Sequence, residues 1–218
     1  VALTGRGGAR VDAGFREKGG EDLARAGEAG AGAPHEREAA LLALALCLHD
    51  EGDLRRAAAG YAECAGRARG LGATAIEGAC SLLAALIAIQ HGELGEAFAE
   101  LRAASALLVG EDRLLASTLL GAVRRLSTGD ARETRALPSA CSPRTMAIVR
   151  LLDAVPDGSA LAALGPLVEG DTLGRFTLRA LEVVLGERSW VHAEGALVVG
   201  PEGRWFRFLH GESQSFAR

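Results

Sequence analysis

Four cysteines and five histidines are the side chains of this sequence best suited to redox, nucleophilic or metal chemistry. The cysteines stand at positions 47, 64, 80 and 141, and no two of them form a CxxC pair. This spacing excludes the zinc-ribbon and thioredoxin motifs. Cys47, Cys64 and Cys80 lie in apolar stretches, which predicts small core residues in a protein of a reducing cytoplasm.

The histidines also lack the spacing of a metal site. The sequence contains neither HxxxH nor HExxH, so a centre that combines them with Cys47 or Cys64 has little support and we predict no metal. His49 and His91 precede two turn glycines at near-equivalent positions. A cation at the end of a helix interacts favourably with the helix dipole, which predicts a structural role for both.

The N-terminal string VALTGRGGA, residues 1–9, resembles the beginning of a nucleotide-binding P-loop. A P-loop continues with a lysine for the phosphates and a hydroxyl group for magnesium. Arg10, Val11 and Asp12 occupy those positions, and the carboxylate of Asp12 would repel phosphate. We therefore expect residues 1–12 to hold no nucleotide, and we predict no cofactor.

No other motif points to catalysis. The sequence has no GxSxG, and its acidic residues are scattered over predicted solvent faces without a pair placed for acid–base chemistry. We accordingly predict no catalytic residue and expect a protein that is not an enzyme.

The composition predicts a helical protein, so helices would carry any functional surface. Of the 218 residues 49% are hydrophobic and only 4% are aromatic, so the core consists mostly of alanine and leucine, which favour helices. The net charge of −4 provides no surplus of cations for nucleic-acid phosphates. A single lysine and no asparagine are typical of a GC-rich bacterial genome. No apolar run is long enough for a membrane span, which favours a cytoplasmic protein.

Apolar periodicity and turn residues predict mainly α structure in three segments. Residues 1–33 are rich in Gly and Ala and predict a linker or a disordered tail, 34–188 predict a helical domain, and 189–218 predict a β-containing unit. The predicted helices are 35–50, 54–69, 73–91, 94–109, 111–127, 144–154, 159–168 and 171–186. In the fourth helix, we expect Leu94, Ala97, Phe98, Leu101, Ala104 and Leu108 to be buried.

The first four helices form two copies of one helical hairpin, offset by 40 residues. Gly52, Leu54, Ala57, Tyr61 and Cys64 align with Gly92, Leu94, Ala97, Leu101 and Ala104. Over about 35–108, this pattern resembles tetratricopeptide-type repeats, with a longer period, no closing proline and degenerate copies beyond. The resemblance implies antiparallel hairpins stacked as a short α-solenoid, and a generic antiparallel bundle remains the alternative.

Aromatic residues concentrate near the C-terminus, where 196–199 and 204–209 flank a Gly-Pro-Glu-Gly turn and predict a β-hairpin. This stretch resembles the first strands of a response-regulator-type winged-helix effector domain, as in large GC-rich bacterial regulators. The resemblance implies a DNA-recognition helix beyond Arg218, and no nucleic-acid contact through this chain. A hairpin that caps the helical stack is the alternative.

These features together predict a non-enzymatic protein-interaction and regulatory scaffold, the helical-repeat arm of a multidomain bacterial signalling or transcription regulator. The partner would be a protein or peptide segment, or flanking domains of the same polypeptide, and neither nucleic acid nor membrane. The predicted contact residues are Leu44, Leu48, His49, Ala84, Ala88 and His91. The alternatives are a small all-helical enzyme or ligand-binding bundle with an internal pocket, and a spacer without a separate function.

Overall fold

The computed structural model of the chain is mainly α-helical in the part that it describes. The described residues are 16–28, 34–128, 141–142, 145–146, 148–149, 152, 165–166, 168, 171–185, 191–193, 197–199, 205–208 and 214–215. The P-loop-like string and most of the predicted helices 144–154 and 159–168 lie outside them. No helix among the described residues is long and apolar enough to cross a membrane.

Seven helices lie within the described residues. They are α1 (Arg16–Glu28), α2 (Pro34–Glu51), α3 (Leu54–Gly70), α4 (Thr74–Gln90), α5 (Leu94–Leu107), α6 (Gly110–Thr128) and α7 (Thr172–Leu185). The helices predicted between residues 34 and 128 are confirmed, each with ends within two residues of its predicted bounds. The last predicted helix, 171–186, corresponds to α7 in the same way.

The turn after α2 is repeated after α4 with the offset of 40 residues. Asp53 N donates to Leu48 O at 2.9 Å, and Glu93 N donates to Ala88 O at 2.8 Å. The glycine before each of these residues has a positive φ, 86° at Gly52 and 75° at Gly92. Only glycine adopts this conformation without strain, so the aligned glycines end both helices in the same way.

The chain divides into two compact units, Val1–Ser81 and Leu82–Arg218, and the boundary falls within α4. In the first unit α2 packs against α1 and α3. The backbones of α2 and α3 approach closely at Gly60, where a Cβ atom would lie only 2.9 Å from the Cβ of Ala45. Small residues therefore set the distance between these two helices.

Helix α1 lies within the segment 1–33 that we expected to be a linker or a disordered tail. Leu23 is buried in α1, and the helix packs against α2. Tertiary contact with an apolar helix stabilises a segment whose own composition carries little helical signal.

In the second unit α5 packs against α6. Five of the six residues expected to be buried in α5 and just after it are buried: Leu94, Ala97, Leu101, Ala104 and Leu108. The sixth, Phe98, is 37% exposed, which corrects our expectation. The buried positions follow one narrow stripe, and Phe98 lies at its flank, on the side of Leu94 away from Ala97, Leu101 and Ala104.

Four short strands follow the helices. They are β1 (Val191–Ala193), β2 (Leu197–Val199), β3 (Trp205–Phe208) and β4 (Gln214–Ser215). They pair antiparallel in the order β1-β2-β3-β4, and the central pair aligns Val198 with Arg207.

Candidate functional site

Helix α2 is apolar on nearly all sides between residues 39 and 48, which is unusual for a helix that is not fully covered. Its buried side faces α3 through Ala45 and His49. Leu41, Leu44 and Leu48 are only half-buried. Their i, i+3, i+7 spacing places them on one face of α2, and we call these three residues the leucine stripe.

The leucine stripe is held in place by a buried polar contact between α2 and α3. The Nδ1 atom of His49 lies 3.2 Å from the hydroxyl oxygen of Tyr61, and the two rings meet edge to face with centroids 5.9 Å apart. Burial raises the pKa of Tyr61 above its ordinary value, so the phenol remains protonated. A neutral hydroxyl hydrogen-bonded to an imidazole fixes the rotation of α2 relative to α3.

Two of the predicted contact residues belong to the core. His49 is 1% exposed and Ala88 is 4% exposed, whereas a contact residue needs an accessible side chain. Ile89, and not His91, occupies the position of α4 that repeats His49, since Gly92 N donates to Ile89 O as Gly52 N donates to His49 O. The sequence offset of 42 therefore does not make the two histidines equivalent.

The other four predicted contact residues are half-buried. Leu44 and Leu48 lie on successive turns of α2 in the first unit, with Leu41 beside them. Ala84 and His91 lie in the second unit, in α4 and in the turn that follows it. The sequence reasoning missed Leu41, although its spacing from Leu44 and Leu48 was visible in the sequence.

Further polar contacts join α2 to α3 and α3 to α4. The thiol of Cys64 in α3 donates to the carbonyl oxygen of Glu38 in α2, with a distance of 3.4 Å. Cys80 in α4 is also buried. Nearer the α3–α4 turn, Arg69 Nε and Glu77 Oε1 form a salt bridge of 2.7 Å. This salt bridge links α3 to the first turn of α4.

The second unit contains a small open cleft with an acidic lining. Its volume is about 240 Å³, below the range of about 300–1,000 Å³ that is usual for ligand pockets. It is lined by Glu111, Asp112, Leu115, Ser142, Thr145, Ile148, Asp171 and Leu173. An all-helical enzyme or ligand-binding bundle would be expected to use such a cleft, and this one is small.

The main carboxylate of the cleft is already engaged by the protein. Glu111, in the first turn of α6, accepts hydrogen bonds from Ser142 N at 2.6 Å and Ser142 Oγ at 2.8 Å. It also accepts one from the hydroxyl of Thr145. Asp171 accepts from Gly174 N at 2.8 Å and so caps α7. These carboxylates hold segments of the second unit together.

Within the described residues, no group of three or more His, Cys, Asp or Glu side chains is arranged to hold a metal ion. No family model matches the chain, and neither a curated protein nor a solved structure matches it. The functional argument therefore rests on the geometry of the two units.

Proposed function

We propose that the chain is a non-enzymatic protein-interaction scaffold of TPR-like helical hairpins, and that the leucine stripe of α2 is its docking surface. The observation that carries the proposal is the half-buried state of Leu41, Leu44 and Leu48 on a helix whose Ala45 and His49 are buried. An apolar face with helical spacing fits the apolar face of an amphipathic partner helix. The partner is accordingly a peptide segment with apolar residues at i, i+3 or i+4, and i+7.

The repeated hairpin geometry supports the solenoid reading over a generic bundle. The turns at Gly52 and Gly92 share the same hydrogen bonds and the same positive φ. Ala57 and Ala97, four residues into the next helices, are both fully buried. A structural unit that repeats with fixed contacts is the basis of stacked helical repeats, whose surfaces bind peptides and neighbouring domains.

The biological setting that we propose is the helical-repeat arm of a cytoplasmic, multidomain bacterial signalling or transcription regulator. It is supported by the resemblance of the C-terminal stretch to the opening strands of a winged-helix effector domain. The antiparallel order β1-β2-β3-β4 is compatible with such an opening sheet. In this setting the partner segment comes from another protein or from a flanking domain, and its binding changes how the flanking domains pack.

Selection from a peptide library tests the docking surface directly. The chain is immobilised, a displayed library is selected against it, and the enriched peptides are rebound to the wild type and to two variants. Leu44→Arg places a charge in the leucine stripe, and Ala62→Arg places the same charge at an exposed position of α3 as the control. We expect enriched peptides with an apolar helical spacing that bind Ala62→Arg normally and Leu44→Arg at least about tenfold more weakly. Equal binding to both variants would refute the assignment of the surface.

A further inference from the structure

The leucine stripe of α2 has a charged residue at each end. Arg37 lies four residues before Leu41, at the N-terminal end. Glu51 lies three residues after Leu48, at the C-terminal end. These helical spacings place both charges on the face of the stripe, and Leu44 lies midway, seven residues from each. Along its length, this face of α2 therefore carries a cation, three leucines and an anion.

Neither charge has an ion-pair partner within the described part of the chain. Arg37 is half-buried, and its Nε atom is buried without a hydrogen-bond partner among the described residues. Glu51 is exposed, and none of the salt bridges between described residues includes it. A buried donor that lacks an acceptor destabilises a protein, so a carboxylate brought to Arg37 by a partner would be favourable.

Both charges also lie at the unfavourable ends of the α2 dipole. Arg37 is the fourth residue of the helix, and Glu51 is its last residue. The N-terminus of a helix carries a partial positive charge and the C-terminus a partial negative charge, so each side chain is repelled by its own helix. An antiparallel helix would bring its negative end to Arg37 and its positive end to Glu51. The charges of α2 therefore favour an antiparallel partner.

The α2 helix of a second copy satisfies these requirements. When a two-fold axis passes at Leu44, residues equally distant from Leu44 face each other, so Arg37 of each copy meets Glu51 of the other. Leu41 and Leu48 lie three and four residues from Leu44, so they meet with an offset of one residue, about 1.5 Å along the helix. A parallel arrangement would instead place like charges together. The stripe is thus complementary to itself in the antiparallel direction only.

We propose that the partner of the leucine stripe is the same stripe of a second copy, in a two-fold symmetric, antiparallel α2–α2 dimer. Such a dimer uses one surface patch on both subunits, which is the commonest symmetry of soluble oligomers. The inference rests on the proposed docking surface and specifies what it binds. Because the leucines are already half-buried, association buries little further area, and we expect a dissociation constant of about 1–100 µM.

Sedimentation equilibrium of the full chain at about 1–300 µM measures this association, since the dimer has twice the monomer mass of 22.5 kDa. We expect Leu44→Arg to abolish the dimer, because two cations would meet at the axis. Arg37→Glu and Glu51→Arg each place like charges together at both ends of the interface, and we expect each to raise the dissociation constant at least about tenfold. Arg102→Glu makes the same charge change at an exposed position of α5, and as the control it leaves the dissociation constant unchanged. Circular dichroism shows whether every variant is folded.

A mixture of the two charge-reversed variants tests the antiparallel register. When an Arg37→Glu chain pairs with a Glu51→Arg chain, opposite charges again meet at both ends of the interface. We therefore expect the equimolar mixture to form a heterodimer with a dissociation constant near that of the wild type, although each variant alone associates weakly. A mixture that associates no better than the separate variants would overturn the proposed pairing of Arg37 with Glu51.

The remaining outcomes separate this inference from the proposed function. A wild type that stays monomeric up to about 300 µM overturns the dimer, and library peptides that bind it through Leu44 would still support the docking surface. A dimer that persists in folded Leu44→Arg also overturns the inference, because association would then use another surface. A dimer that Leu44→Arg abolishes, together with a library that yields no enriched peptide, supports the dimer and contradicts a separate peptide partner.

Discussion

His49 and Tyr61 are bonded to each other inside the first unit, with His49 Nδ1 only 3.2 Å from the Tyr61 hydroxyl oxygen. Tyr61 is the sole tyrosine of the sequence and is fully buried. The contact joins the last turn of α2 to the middle of α3. It therefore fixes the orientation of the helix that carries the leucine stripe.

Two substitutions of Tyr61 separate the contribution of its ring to stability from the contribution of its hydroxyl. Tyr61→Phe keeps the ring and removes one buried hydrogen bond, so we expect the free energy of unfolding to fall by about 1–2 kcal/mol. Tyr61→Ala also leaves a cavity between α2 and α3, and we expect a loss of about 3–5 kcal/mol. Urea unfolding followed by circular dichroism measures both. Equal losses for the two variants would show that the hydroxyl, and not the packing of the ring, accounts for the contribution of Tyr61 to stability.

Alkaline pH weakens the same contact. Burial raises the pKa of Tyr61 in the folded chain, whereas in the unfolded chain the phenol titrates at its ordinary value near 10. The unfolded state then binds fewer protons than the native state above about pH 10, so stability is complete below this pH and falls as the pH rises further. The hydrogen bond to Cys64 and burial raise the pKa of Cys80, which adds a similar loss that begins near pH 9.

The free energy of unfolding, measured between about pH 8 and about pH 11, checks this dependence. We expect Tyr61→Phe to lose less stability across the range than the wild type, and Cys80→Ser to lose less in its lower part. If the free energy of unfolding of the wild type does not change up to about pH 11, the pKa values of Tyr61 and Cys80 are not raised in the folded chain.

Two glycines of α3 provide a matched pair for the close approach of α2 and α3. A Cβ atom at Gly60 would lie 2.9 Å from the Cβ of Ala45, whereas at Gly66 nothing lies within 4 Å. Gly66→Ala gains helix propensity, and we expect stabilisation by about 0.5–1 kcal/mol. Gly60→Ala has the same gain but forces the helices apart, and we expect a net destabilisation of about 1–2 kcal/mol. Thermal unfolding distinguishes them, and stabilisation by both substitutions would contradict the close approach.

Glu111 anchors the segment around Ser142 to the first turn of α6. Its carboxylate accepts hydrogen bonds from Ser142 and from the hydroxyl of Thr145. We expect Glu111→Ala to increase amide hydrogen exchange at residues 142, 145 and 146 by about tenfold, because charge-assisted hydrogen bonds of about 1.5 kcal/mol are lost. Asp112→Ala, at the adjacent exposed position, is the control and should leave that exchange unchanged. Equal exchange in both variants would remove Glu111 from this role.

The sequence alone was sufficient to predict the helices between residues 34 and 128, because residues next to each helix end determine where the helix begins or ends. Gly52 and Gly92 supply the positive φ of the turns, and the side chain of Asp53 accepts from Arg56 N at 3.2 Å as a helix cap. The burial of Phe98 was overestimated because its spacing of four from Leu94 places it near the buried face of α5, but at the edge of that face. Helix α1 was missed because its stability comes from packing on α2.

The candidate sites depended on pairings that sequence spacing does not reveal. Leu44 and Leu48 were identified from periodicity, but the burial of His49 follows from its tertiary contact with Tyr61. Cys64 and Glu38 meet because the fold brings α2 and α3 together, and no local motif marks that contact. Residues three or four positions apart on one helix are predictable neighbours, whereas residues on different helices become neighbours only through the fold.

The central claim is that the leucine stripe binds an apolar helical segment, and the ratio of two dissociation constants tests it most directly. One selected peptide is titrated by calorimetry against Leu44→Arg and against Ala62→Arg, after thermal unfolding has shown that both variants fold. We predict a dissociation constant at least about tenfold larger for Leu44→Arg than for Ala62→Arg, with the latter equal to the wild type. A ratio near one for two folded variants would contradict the docking surface.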